Sequence, residues 1–425
     1  MLTSDPISKP ARPESAPAAF YRLLRRGPFA RYMGGETISM IGTWMQMFAQ
    51  NWVLTTLSLE ATKLGWMVFV GGLPTLMLAM VGGSLADRFD KRWILLASLA
   101  IQLGLAVLVG WLVQSHQIAI WHLYTVTALL GVVTAFEMPT VSAFIPELVS
   151  RDDLSRALSI DRAIFHFTRM IGPAVAGYLI GKLGEPLAYY VNAGTFVVLA
   201  AAILTIGPRV RGTQEEEDQR KGPMSAGFHF VRDDSPTRAM ILLMAAASLF
   251  ASPFFMVTMP VYSRAVLGLD ATGMGWLMAM SGVGSLIGAV SLLSVQRGHR
   301  AQFLKCAVSV AVIGLLGLAV APSFPIAAVS IVLMTLGLSS GFGTAHIVIQ
   351  ERSPDAIRGR VSAVASLAFF GVMPFAGLGV AAFSDKIGLR RAMICGAIGY
   401  GIAGAALLMG RTQLAAAPKT VVPES

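Results

Sequence analysis

Charge is scarce in this chain. Only 13% of its 425 residues are Asp, Glu, Lys or Arg, while 55% are apolar. A water-soluble fold carries about 25% charged residues and uses them to cover its surface. Cysteine is scarcer: Cys306 and Cys395, both in apolar stretches, exclude a disulfide scaffold and a cysteine-rich metal site and read as free thiols. Six scattered histidines supply no H-E-x-x-H pair. There is no P-loop, and spacing suggests no Ser-His-Asp set. The chain is therefore not read as an enzyme, and no cofactor or metal is expected. Without a Walker motif, movement of a substrate must draw on an ion gradient or on the substrate's own gradient. The first thirty residues also lack the apolar core of a signal peptide and carry Pro6, Pro10, Pro13, Pro17 and Pro28 instead. They read as a disordered cytoplasmic lead-in ending in a basic stretch, Arg22 to Arg31.

What the chain has in quantity is long apolar runs. About 20 apolar residues cross a bilayer as a helix. Six runs of that length fall near 32–56, 63–86, 94–114, 119–142, 157–181 and 187–207, and six more near 239–262, 272–296, 303–321, 325–347, 360–384 and 389–410. Between the sets lies a polar stretch with the acidic run Glu215-Glu216-Glu217-Asp218. The expected fold is an all-α membrane protein of 12 transmembrane helices in two pseudo-symmetric six-helix bundles. Its expected parts are a cytoplasmic tail (1–30), an N-terminal bundle (31–208), a cytoplasmic linker (209–238), a C-terminal bundle (239–410) and a second cytoplasmic tail (411–425).

The net charge of +10 would suggest nucleic acid in a soluble protein. Here it reads as orientation, because Lys and Arg gather in short cytoplasmic loops. Lys63, Lys182, Arg264, Lys386, Arg390 and Arg391 fall on one side of this layout and Arg162 and Arg169 inside span 5. All other basic residues fall on the side of the termini. Both termini are accordingly expected in the cytoplasm, with lipid headgroups rather than nucleic acid as the partner of the basic loops.

The chain also repeats itself. Ala61-Thr62-Lys63-Leu64-Gly65-Trp66 opens span 2 and Ala271-Thr272-Gly273-Met274-Gly275-Trp276 opens span 8, at an offset of 210. Ser150-Arg151-Asp152-Asp153-Leu154 is echoed more weakly by Ser353-Pro354-Asp355-Ala356-Ile357. A repeated six-helix unit implies two halves related by an axis along the membrane normal, with substrate held between them.

Particular motifs sharpen this. Gly83-Ser84-Leu85-Ala86-Asp87-Arg88-Phe89-Asp90-Lys91-Arg92, between spans 2 and 3, resembles the G-x-L-A-D-R-x-G-R-R signature of the major facilitator superfamily, with Asp90 at the second glycine. The resemblance implies a cytoplasmic latch, broken and remade during transport. Gly83 would permit close helix approach, Asp87 would face the positive end of span 11, and Arg88, Lys91 and Arg92 would meet acids and lipid headgroups. Arg358 and Arg360, before span 11, belong to the same gate. The second half has Gln296-Arg297-Gly298-His299-Arg300 there and lacks the Asp. Phe136-Glu137-Met138-Pro139, Ala143-Phe144-Ile145-Pro146-Glu147-Leu148-Val149, Arg169-Met170-Ile171-Gly172-Pro173, Arg358-Gly359-Arg360-Val361 and Ser39-Met40-Ile41-Gly42-Thr43-Trp44 resemble the bacterial branch of enterobactin exporters and macrolide-efflux-type permeases. That branch implies a multi-pass protein of the bacterial inner membrane. There are departures. Pro139-Thr140-Val141-Ser142 loses the arginine of a P-A-R-Q, Asp161-Arg162-Ala163-Ile164-Phe165-His166 gains charge where the branch has N-S-A-x-F-N, and span 4 lacks the arginine of many proton antiporters. Gly172-Pro173-Ala174-Val175-Ala176-Gly177 keeps the G-P-x-x-G-G end of the antiporter motif with one Ala substituted, as a gating element or as a helix kink.

Ionisable groups within a span are costly and mark function. Glu36, Glu137, Asp161, Arg162 and Arg169 are such groups, all in the first half, while the second half offers His346. Glu36, Ser39, Thr43, Gln46 and Gln50 step by three and four along one helical face, which is expected to line the central cavity. Arg162, His166 and Arg169 share a face of span 5, with Asp161 and Glu137 as acidic counterparts. Ser252, Tyr262, His346 and Gln350 are expected as polar accents of an otherwise Met- and Phe-rich wall. The expected function is a secondary active transporter working by alternating access: a monomeric, proton-coupled exporter of an amphipathic small-molecule substrate such as a drug, siderophore or metabolite. The alternatives are a carrier of lysolipid or lipid-like molecules, or an importer of the same fold. A receptor that does not transport is the poorest fit.

Overall fold

The computed structural model describes residues 27–207 and 225–409 other than Asp355, together with Leu23 and Arg25. The linker run Glu215 to Asp218, the C-terminal tail and the tail before Leu23 lie outside the described residues, as do Asp355 and the side chains of Asp87 and Arg151. Among the described residues all regular structure is helical. The first half comprises α1 (Pro28–Leu57), α2 (Ala61–Arg88), α3 (Lys91–Gln114), α4 (Ile120–Glu147), α5 (Leu154–Leu183) and α6 (Pro186–Leu204). A short helix, Ser225–Asp233, leads into the second half. There follow α7 (Ser235–Phe250), α8 (Ala271–Ser291), α9 (Arg300–Val320), α10 (Phe324–Arg352), α11 (Arg358–Ile387) and α12 (Leu389–Leu408).

Ten of these twelve are long and apolar enough to cross a membrane. The two others have separate reasons. α1 has 30 residues but carries the polar stripe headed by Glu36. α7 stops after 16 residues, and the chain runs on through Ser252–Met256, Met259–Val261 and a π-helical turn, Tyr262–Val266. Pro253 and Pro260 at the starts of the two short helices lack the N–H a continuous helix needs. A second π turn, Leu367–Gly371, interrupts α11 just before Pro374. Most helices run a turn past the expected apolar stretches, because their polar ends still satisfy helix geometry outside the hydrocarbon.

Three apolar cores hold the bundle. One is built within the first half from side chains such as Tyr32, Leu99, Phe144, Ile160 and Phe196. A second lies within the second half, around Met240, Leu304, Leu315, Met334 and Met393. The third joins the halves: Met45, Leu54, Leu64 and Ile180 pack with Val257, Val261, Met274 and Met373. Its members come from the end of α1, the start of α2 and the end of α5, so it lies on the face away from the start of α1. The face on which α1 begins and α12 ends, called here the terminal face, has no core joining the halves.

The duplication is visible as chemistry. At the terminal face Lys91, opening α3, bonds Glu147 at the end of α4 at 2.6 Å. Arg300, opening α9, bonds Glu351 near the end of α10. In each half one basic residue therefore ties the third helix to the fourth.

Candidate functional site

The repeated hexapeptides form the joint between the halves. A Cβ on Gly65 would stand 2.9 Å from the Leu378 backbone of α11, and one on Gly275 would stand 2.7 Å from the Pro173 carbonyl of α5. Gly177, opposite, would drive a Cβ to 2.5 Å from Ala271 O. Backbone meets backbone along both contacts, which is the packing that small residues permit in membranes. The threonines of the repeat act in parallel. The Thr272 hydroxyl donates to Gly177 O at 3.3 Å, and the Thr62 hydroxyl donates to the Asp385 carboxylate at 2.5 Å. Asp385 also accepts the Ala61 and Thr62 backbone N–H groups at 2.8 and 2.7 Å. A carboxylate on α11 thus fills the orphan donors and faces the positive end of α2. Beside them, Arg264 stacks 5.0 Å above the Trp52 ring and donates to Thr55 at 3.4 Å.

Toward the terminal face the close contacts between the halves run as far as Met170 against Gly282 and Leu76 near Gly371; Met77 and Met80 of α2 are 70% and 87% exposed. The gate residues expected there have these surroundings. Gly83 has nothing within 4 Å of a built Cβ; the close approach falls one residue earlier, where Gly82 would place a Cβ 2.0 Å from Ala135 O of α4. The expectation for Gly83 is corrected accordingly: helix register turns Gly82, not Gly83, toward its neighbour. Arg88 is exposed, and the Asp87 side chain lies outside the described residues. Arg92 pairs with Asp90 at 3.1 Å and donates to Ile206 O at 2.6 Å. Hydrogen bonds from Arg92 hold the Asp90 carboxyl below its usual range. Arg358 donates to Gln350 O at 3.1 Å, and the Arg360 backbone packs on Gly227 of the short linker helix. Asp234, at the N-cap of α7, is bound by Arg352 at 2.6 Å and accepts from Thr237 N at 3.1 Å. Burial pushes its carboxyl up, but these hydrogen bonds outweigh burial and leave it below the ordinary aspartate range.

The membrane-embedded charges fall into two groups. Glu36 and Glu137 share a narrow cleft inside the first half, walled by Tyr32, Leu95, Leu99, Val141, Leu199 and Ile203 from α1, α3, α4 and α6. Gln102 donates to Glu137 at 2.9 Å. The buried Tyr32 hydroxyl lies beside the Glu36 carboxylate, short of ideal hydrogen-bond geometry. Asp161 lies within electrostatic reach of this cleft. The cleft has no room for an organic molecule.

The second group lies on α5. Arg162 is exposed and His166 and Arg169 are half-buried. The His166 Nδ1 atom is buried without a partner. The Arg169 guanidinium sits 5.8 Å from the Trp44 ring centroid in α1 and 5.4 Å from that of Phe255 in the second half. Among the described residues no carboxylate pairs with it. Each such stack is worth about 0.5–2 kcal/mol, against about 2.5–3.5 kcal/mol or more for a cation at mid-membrane, so the rings leave part of its charge unanswered. His346 of α10, half-buried, is within electrostatic reach of Arg162.

The α1 stripe divides. Ser39, Gln46 and Gln50 are buried: Gln46 accepts from Asn192 of α6 at 2.7 Å, and Gln50 donates to Thr127 of α4 at 3.4 Å. Thr43 is exposed and Glu36 opens on the cleft. Ser252 and Tyr262 do not line a cavity: both are buried in the second half, and the Tyr262 hydroxyl donates to Leu318 O at 2.6 Å. Both were expected from spacing along an unbroken helix, and the break after α7 redirects them. Gln350 is exposed. α5 runs unbroken through Gly172 and Pro173, and a Cβ on Gly172 would meet Trp44 at 2.4 Å. Cys306 and Cys395 are free and exposed. Sequence reasoning missed Asp385, Gln102, Trp44 and Phe255. The Asp385-Lys386 pair ending α11, which parallels Asp87-Arg88 ending α2, was a signal for the first.

A helical bundle with duplicated halves joined on one face is the architecture of the major facilitator fold. The fold is shared with a bacterial homologue of the human lysosomal transporter Spinster, solved in an inward-facing and occupied conformation, at a TM-score of 0.70 and 16% identity over 93% of this chain and 97% of that one. The transmembrane secretion effector family model matches residues 19–422, and the chain belongs to that family. Its relatives include the MFS-type transporter YfiS of Bacillus subtilis (strain 168), 26% identical over 86% of this chain and 89% of that protein. The multidrug efflux pump Tap of Mycolicibacterium fortuitum is 22% identical over 86% and 91%. The chain is therefore a multi-pass membrane transporter of small molecules and not an enzyme.

Proposed function

We propose that the protein exports amphipathic small organic molecules across the bacterial inner membrane in exchange for protons, as a monomer with both termini in the cytoplasm. The observation that carries this is the separation of charge. Acidic groups face a cleft inside the first half, while on α5 Arg169 lies beside Trp44 of α1 and Phe255 of the second half. In this reading the joint sealed by Asp385 and Thr62 is the periplasmic gate, and the terminal face admits substrate from the cytoplasm. Substrate would enter past the α5 face and His346. The sealed joint would then open while Gly83, Asp87, Arg88, Lys91, Arg92, Arg358 and Arg360 close the cytoplasmic side, with basic members resting on lipid headgroups. Gly172, Pro173 and Gly177 let α5 slide on α1 and α8. Glu36, Glu137 and Asp161 take up a proton in one facing state and release it in the other. The likeness to a multidrug efflux pump supports the outward direction.

The test is transport in proteoliposomes under an imposed pH gradient, with Glu36→Gln, Glu137→Gln and Asp161→Asn made singly. Loss of gradient-driven transport with retained exchange is expected for at least one. A pH dependence equal to wild type in all three would sink proton coupling through this cleft.

A further inference from the structure

We infer that the transported molecules carry a carboxylate, and that it seats on the Arg169 guanidinium between Trp44 and Phe255. This rests on the transport reading above and narrows its substrate class. Arg169 lies at the junction of the halves: Trp44 belongs to α1, Phe255 to the second half, and Gly172, one turn on, already packs against Trp44. The guanidinium lies 5.8 and 5.4 Å from the two ring centroids, and its five N–H donors remain for a hydrogen-bond acceptor. Among the described residues none of those donors has an acceptor and no carboxylate is within ion-pairing distance, unlike Lys91, Arg92, Arg300 and Arg352, each of which has its acid. Arg169 is half-buried, so part of its side chain is open to an approaching ligand.

Toward the terminal face the same helix carries His166 and Arg162, one turn each, a run of about 10 Å. Arg162 has Asp161 beside it and is within electrostatic reach of His346 on the other half, while Glu36 and Glu137 turn into their own cleft. Beside His346 stand Phe342 and, packed on it at 5.0 Å, Phe369. Phe369 belongs to the π turn, whose carbonyl is taken by Ser248 at 2.7 Å. The arrangement offers a planar cation for a planar anion and an aromatic surface for an apolar body.

The test uses the purified full chain in detergent and three probes of one shape: 2-naphthoate, its methyl ester and 2-naphthylmethylammonium. Calorimetry is expected to give naphthoate at least a tenfold tighter Kd than either analogue, the scale of a hydrogen bond to a charged group. Arg169→Gln should abolish that preference while binding the ester as wild type does, and Arg169→Lys should keep part of it. Equal or weaker binding of naphthoate in the wild type overturns the inference, as does a preference that survives in Arg169→Gln. If Arg169→Gln does not fold, the wild-type series and Arg169→Lys decide. In proteoliposomes, gradient-driven movement of the ester without preference for the acid defeats the carboxylate site and leaves the transport reading standing. Tight carboxylate binding with no movement of any probe does the reverse.

Discussion

The Asp385 carboxylate caps α2 across 323 residues of sequence, taking the Thr62 backbone N–H at 2.7 Å and its hydroxyl at 2.5 Å. The equivalent start of α8 is capped locally, by Asp270 accepting from Gly273 N at 2.8 Å. Two copies of one motif thus meet the same need of a helix N-terminus in different ways. The first satisfies its donors only while the halves are together, so the cap is a term in the equilibrium between facing states. An N-cap contributes about 1 kcal/mol, or about a fivefold population shift.

Asp385→Ala should therefore shift the protein toward the state in which this joint is open. Spin labels on Glu60 and Lys386 measured by pulsed dipolar spectroscopy should show the ratio of short- to long-distance populations falling about fivefold. Asp270→Ala, which breaks a cap within one half, should lower thermal stability without moving that distance distribution. Equal effects of the two on the distances would mean that the cross-half cap does not bias the states.

Gly177→Leu should block closure of the same joint. Even a Cβ there falls 2.5 Å from the Ala271 carbonyl and 2.9 Å from Gly275 Cα, both in the other half. The clash arises only between halves, so each half should fold. Exchange of substrate should stop, and a cysteine placed at Thr272 should become reactive to a membrane-impermeant reagent added on that side. Wild-type exchange with Leu in place would show that the helices pass each other without the glycine contact.

Gly82→Ala and Gly83→Ala, adjacent in α2, should part company. The first places a methyl 2.0 Å from Ala135 O and the second meets nothing within 4 Å. Gly82→Ala should lower the unfolding temperature in detergent. Gly83→Ala should hold or raise it, since a helix-interior Gly costs about 0.5–1 kcal/mol relative to Ala. A role for Gly83 in closing the terminal face would then be visible as slower transport with intact stability.

These residues also mark how far sequence alone reaches. The long apolar runs, the loop charges and the repeat made the fold legible, since each is a local demand of the bilayer on a helix. The α7 break was not, because Pro253 and Pro260 sit in an apolar stretch that reads as one run. The embedded charges could be named, but not their partners. Spacing on α1 put Gln46 and Glu36 on one face without telling that Asn192 meets the first and a cleft the second. Arg169 looked in need of an acid; that two rings from different halves flank it instead depends on tertiary packing, to which a sequence pattern is blind. The motif named Gly83, but only helix register shows that Gly82 makes the close approach.

Asp234 should make the α7–α10 joint sensitive to acid. Its carboxyl titrates below the ordinary aspartate range because the hydrogen bonds from Arg352 and Thr237 outweigh burial. A folded pKa below the unfolded value of about 3.9 stabilises the fold fully above that value, and the contribution is lost as pH falls through the folded one. Arg352 is itself buried, so removing the acid takes away the carboxylate of a buried pair, a loss of up to about 3–5 kcal/mol. Asp234→Asn should unfold at a clearly lower temperature than wild type at pH 7. The gap should narrow as the pH is taken from 5 toward 3, as the wild-type carboxyl becomes protonated. Thermal unfolding of both proteins in detergent over that range checks the sign, and a gap that widens on acidification would mean that the pair does not stabilise the joint.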